Sequence, residues 1–166
     1  MEHKLTHIDE AGNAVMVDVG EKQITHRTAL ARGEIHMNEA AFAAVRDGTA
    51  KKGDVLGVAQ IAGIMAAKNT ADLIPLCHRL NLTNCKVTFM MHPDRKAIEV
   101  CCLAACDGKT GVEMEALTGC HIALLTIYDM LKAADKHMTM TDIHLVEKHG
   151  GRSGDFRAEE GYEWQS

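Results

Sequence analysis

Three places in the sequence gather side chains able to move protons or hold anions. The first is the acid and base Asp129 and Lys132, three residues apart in the apolar segment from Gly111 to Ala134. At helical i,i+3 spacing they could simply neutralise one another. They also suit proton transfer, because opposite charges on an apolar helix cost desolvation and are kept for a purpose or a partner. Glu113 and Glu115 open the same segment; the helix dipole alone would favour them there, and a site role fits equally. The second place is Cys77-His78, set directly after Pro75 and Leu76. An irregular, apolar loop there presents an imidazole beside a thiol, which suits a general acid or base or a substrate contact, as well as an ordinary hydrogen-bonded loop histidine. The third is a pair of basic segments, Lys51-Lys52-Gly53-Asp54 and the glycine-rich run from Lys148 to Gly154 containing Arg152. Singly, each is a solvated surface feature; a glycine-rich basic segment can also wrap a polyphosphate. Taken together, the set fits chemistry on a small phosphorylated metabolite better than binding to a polymer.

Other patterns lead nowhere. Gly108-Lys109-Thr110-Gly111 resembles the end of a phosphate loop, but the required earlier glycine is missing because position 103 is Leu. The segment remains a turn before a helix, with at most a backbone contact to an anion. Cys101, Cys102 and Cys106 lack C-x-x-C spacing on a strand, where neighbours face opposite sides, so they read as small core hydrophobes and no metal site is expected. A metal-storage reading would rest only on the count of ten His and six Cys.

The elements that must position these groups follow from the rest of the chain. Its 166 residues, 46% hydrophobic and 25% charged, suit one domain spanning residues 1–166. Residues 1–20 and 150–166 are expected to be flexible unless a partner or ligand orders them. A net charge of −5 and six aromatic residues argue against nucleic acid, and no apolar run is long enough for a membrane. Without an export signal, the six cysteines read as reduced thiols and the location as cytoplasmic.

Strand signals cover Gln23–Met37, Leu82–His92, Ala97–Ala105 and Thr139–Lys148. Asn38 and Asp54 are expected to cap two successive helices, and Gly111–Ala134 is expected as a long one. The order predicts an α+β fold, a ferredoxin-like βαββαβ sandwich with an antiparallel sheet and helices on one face. Apolar residues surround the whole long helix, from Val112 to Leu131, so it is expected to be covered on all sides. A sheet covers one side only, which predicts a second subunit and leaves Asp129 and Lys132 as a buried pair.

The strings KKGDVLGVAQIAGIMAAKNTADLIPLCHRL, GKTGVEMEALTGCHIALLTIYDMLKA and GGRSGDF together resemble the cyclic pyranopterin monophosphate synthases, or molybdenum cofactor biosynthesis protein C. The likeness runs from about Leu5 to Phe156. It implies a homohexamer, built as a trimer of dimers with the active site at the dimer interface. It also implies a lyase that takes 3′,8-cyclo-7,8-dihydro-GTP to cyclic pyranopterin monophosphate and releases pyrophosphate, with no cofactor. Carried over residue by residue, Leu76, Cys77 and His78 form one substrate-binding segment, and Met114 with Glu115 a second. Asp129 matches the catalytic aspartate, and Lys52 and Lys132 match lysines needed for the chemistry. Glu113 and Lys148 line the same site, while Arg27, Lys148 and Arg152 could neutralise the phosphates. A lysine among cations or in an apolar pocket loses its proton more readily, which would suit an acid or base role for Lys52 and Lys132. Two departures stand out: Arg152 where lysine is common in the family, and Arg79 where proline is frequent.

Overall fold

The computed structural model describes residues 8–9 and 11–158. Nine elements follow in order: β1 (Thr25–His36), α1 (Glu39–Arg46), α2 (Val55–Lys68), α3 (Thr70–Leu73), β2 (Leu82–His92), β3 (Ala97–Gly108), α4 (Glu113–Leu131), β4 (Thr139–His149) and β5 (Phe156–Arg157). The strands form one antiparallel sheet in the order β2-β3-β1-β4-β5. Its first four strands have the ferredoxin-like arrangement, and the helices lie over one face, as the sequence predicts. α3 and β5 were not foreseen. α3 is a single turn just before Pro75, and β5 lies in the expected flexible tail, where Lys148 pairs with Phe156.

Local chemistry explains the element boundaries. The Asn38 side chain accepts from the Ala41 amide at 2.9 Å, and Asp54 accepts from Gly57 at 2.9 Å, so both helices start where expected. α1 ends before Gly48, which takes the left-handed conformation at φ +65°. Alternation on β1 sends Ala29, Ala31 and Ile35 toward the helices, where they join Ile98, Val100 and Cys102 of β3. α4 presses Ala116, Cys120, Leu124 and Ile127 onto that surface, each fully buried. Side chains of this size contribute roughly 1.5–3 kcal/mol apiece for Leu and Ile.

α2 lies across α4 at two glycines. A Cβ on Gly63 would stand 2.9 Å from the Gly119 carbonyl, and one on Gly119 would stand 2.5 Å from Cys102 Sγ. Only residues without side chains allow this approach between the two helices and β3.

The expected all-round burial of α4 does not hold within one chain. Met114 and Leu125 are exposed, as are Val58, Ile61 and Met65 on α2. Along α4, Glu115 lies in the core whereas Asp129 and Lys132 reach the surface. Asp129 and Lys132 are therefore not a buried pair: their side chains are 54% and 53% exposed. Of the stretches expected to be flexible, residues 1–7, 10 and 159–166 lie outside the described residues, while 8–9, 11–20 and 150–158 are described.

Candidate active site

The start of α4 forms the floor of a cleft. The loop after α3 supplies Leu76, Cys77 and His78, and the first turn of α4 supplies Glu113, Met114 and Glu115, enclosing about 570 Å³. Irregular chain before β1 forms a third wall through Val17, Val19 and Lys22. Pro75 explains why the loop leaves the helical path: it removes a backbone donor and forces the preceding residue to be extended. Arg79 then pairs with Asp72, bracing the loop against α3.

A second cavity of about 550 Å³ adjoins the first and shares Lys22, Thr110, Gly111 and Glu113 with it. It adds Arg27 from β1, Lys109, Lys148 from the end of β4, and Arg152. Gly150 and Gly151 have φ of +88° and +86°, and a Cβ on them would strike the His26 carbonyl and the Arg27 guanidinium. The glycines thus let the terminal segment turn tightly around Arg27.

The two cavities differ in hydrogen-bonding character. The first is rich in acceptors. Glu115 is only 4% exposed, and burial, reinforced by the neighbouring Glu113 charge, raises its pKa above the ordinary carboxylate value. Burial likewise raises the Cys77 thiol, with Glu115 adding to the effect. The second is rich in donors. Lys148 Nζ is 2.8 Å from Glu113 Oε1, which neutralises one cation, whereas no ion pair with a carboxylate among the described residues is found for Lys22, Arg27, Lys109 or Arg152. Arg27 instead donates to the Gly108 carbonyl at 3.0 Å.

Lys52, Asp129 and Lys132 meet elsewhere. Asp129 Oδ1 lies 2.7 Å from Lys132 Nζ, and Oδ2 lies 2.8 Å from Lys52 Nζ. Hydrogen bonds from Lys132 first, then Lys52, hold the Asp129 carboxyl at about 2. The same contact raises Lys132, opposite to the lowered pKa expected from crowding among cations. Lys132 is therefore kept as an ammonium.

Nine of the twelve residues expected from the sequence line the joined cavities, and these three lie apart. From Glu115 to Asp129 is 14 residues of α4, about 21 Å along the axis at 1.5 Å per residue. Val17 and Lys22 line the cleft without any sequence signal; no motif marks Lys22, and only the approach of the chain before β1 reveals it. Lys109 and Thr110 lie in the turn that the sequence predicts before α4, and both line the second cavity.

Among the described residues one group could resemble a metal site: Glu34, His92 and Glu99, on the sheet face away from the helices. Arg95 donates to both Glu34 oxygens at 2.6 and 3.2 Å, and Arg32 reaches both carboxylates at 3.1 and 3.5 Å. Two guanidinium groups already supply the countercharge a cation would bring, so the group is an ion-pair network.

A ferredoxin-like sheet that carries an acceptor-rich cleft, a cationic cavity and a lysine–aspartate–lysine cluster defines an α+β protein with an enzyme-like site. The chain is a member of the MoaC family, which it matches over residues 16–151. It is 57% identical over 156 residues to the cyclic pyranopterin monophosphate synthase of Clostridium botulinum (strain Alaska E43 / Type E3), covering 94% of this chain and 98% of that protein. It is 56% identical over 155 residues to the enzyme of the same name from Chloroflexus aurantiacus (strain ATCC 29366 / DSM 635 / J-10-fl), covering 93% and 95%. No helix among the described residues is long and apolar enough to cross a membrane.

Proposed function

We propose that this chain is a lyase of molybdenum cofactor biosynthesis that converts 3′,8-cyclo-7,8-dihydro-GTP to cyclic pyranopterin monophosphate and releases pyrophosphate. The observation that carries this reading is the abutment of two cavities of opposite hydrogen-bonding character. A guanine-derived ring offers N–H donors to Glu113 and Glu115, while its triphosphate needs the donors Arg27, Lys148 and Arg152. The relatives' shared name supports the same chemistry.

The lysine–aspartate–lysine cluster is too far along α4 to touch a molecule held by its own chain's cleft. We therefore assign it to the cleft of a second copy in a homodimer, three of which form the hexamer implied by the family resemblance. Exposed Val58, Ile61 and Met65 on α2 and Leu125 on α4 provide the apolar surface for such a contact. There Asp129 positions Lys52 and Lys132 as charged donors, able to protonate a leaving oxygen and stabilise charge developing on the phosphates. No organic cofactor or metal enters the scheme.

The test is phosphorus NMR of the full chain incubated with the cyclised GTP substrate. Pyrophosphate together with a cyclic phosphate resonance supports the lyase. Saturable binding with unchanged phosphate resonances would make the chain a nucleotide-binding module instead.

A further inference from the structure

The cleft wall before β1 is attached to the rest of the site through its own backbone. His78 Nε2 lies 2.8 Å from the Val17 carbonyl oxygen, 61 residues away in sequence. Lys109 Nζ donates to the Gly20 carbonyl at 2.5 Å. Between Val15 and Lys22 the chain forms no strand, so it runs as a strap held by one side chain from each cavity.

The first of these contacts has a chemical consequence. A carbonyl oxygen can only accept, so Nε2 must carry a proton whenever the contact is made. In a neutral imidazole the other nitrogen, Nδ1, is then a lone-pair acceptor. No hydrogen bond from a described residue to His78 Nδ1 is found, and the side chain lines the cleft beside Cys77 and Glu115.

We propose that the Val17 carbonyl is a positioning group that holds a proton on His78 Nε2, so that Nδ1 is the nitrogen left to accept from an N–H or O–H of the bound heterocycle. This rests on the reading of the cleft as the substrate site. A second-nitrogen partner of this kind commonly decides which imidazole nitrogen does the work. The strap is thereby part of the binding site, and the residues before β1 matter through their main chain, which explains why no side-chain motif marks them.

Long-range proton–nitrogen correlation spectra of the full, nitrogen-15-labelled chain at neutral pH test this without any turnover. His78 is assigned by the signals missing from a His78→Gln sample. The expected result is a protonated Nε2 and an unprotonated Nδ1. In a Val17→Gly, Val19→Gly variant, whose strap is looser, the two nitrogen shifts should move toward each other as the tautomers mix. A proton on Nδ1, a fully charged ring, or shifts identical in both proteins would overturn the assignment. Because the readout is the ring itself, a chain that binds but does not turn over would still report on it, so the two readings fail separately.

Discussion

Lys52 closes on Asp129 twice, donating to its carboxylate Oδ2 at 2.8 Å and to its main-chain carbonyl at 3.0 Å, across 77 residues of sequence. The loop before α2 is thereby tied to the last turn of α4. Because Lys132 takes the other carboxylate oxygen, one acid orders two ammonium groups on an otherwise open surface.

Replacing Asp129 by Asn removes the charge that orders both lysines and leaves the shape intact. Turnover should fall by about 10²–10⁴-fold, the range for a lost acid–base group, while the far-ultraviolet spectrum and melting temperature stay nearly unchanged because the side chain is exposed. Steady-state rates and a thermal scan on the same preparation check both halves. The pH dependence has a definite sign. Asp129 is depressed in the folded protein, so its pairing is complete above the ordinary carboxylate range and is lost only as pH falls through about 2. Any loss of activity between pH 4 and 6 must come from another group.

Glu115 supplies a contrasting case. Its pKa is raised by burial, so the ionised carboxylate costs the fold stability at neutral pH, a cost removed as pH falls through the raised value. Glu115→Gln should melt a few degrees higher than the parent at pH 7 and at nearly the same temperature in acid, while losing substrate affinity. A variant that melts lower at pH 7 would mean that a partner holds the carboxylate in its charged form.

Packing of α2 on α4 makes a third prediction. Alanine at position 119 favours a helix by about 1 kcal/mol over glycine, but its methyl would press on Cys102 Sγ and the Gly63 carbonyl. Overpacking of this kind typically costs about 1–3 kcal/mol, so Gly119→Ala should lower the urea midpoint without changing the slope of the transition. An unchanged or higher midpoint would show that the helices can separate to make room.

Much of this molecule is legible in its sequence, for identifiable reasons. Asn38 and Asp54 announce α1 and α2 because capping is a local interaction. Alternation and a turn at Pro93 likewise define β2 and β3. What escaped depended on distant contacts. β5 exists because Lys148 pairs with Phe156, and a two-residue strand leaves no periodicity to read. Lys22 joins the cleft only because the strap folds over it. The expected burial of Asp129 and Lys132 failed because the apolar residues around them on α4 do not cover its last turn, where the two side chains pair with one another at the surface. Helix composition anticipates the apolar outer surface of α2 and α4.

The central claim, a site completed by two chains, is tested most directly by mixing two inactive variants. Glu115→Gln disables the cleft and Asp129→Asn disables the lysine cluster, so each alone should be nearly inactive. After unfolding and joint refolding of equal amounts, half of the dimers carry one chain of each kind, and such a dimer holds one intact cleft facing one intact cluster. Activity should return to about one quarter of the parent's. If each site lies within a single chain, every site in the mixture retains one lesion, and activity that stays at the level of the separate variants would contradict the account.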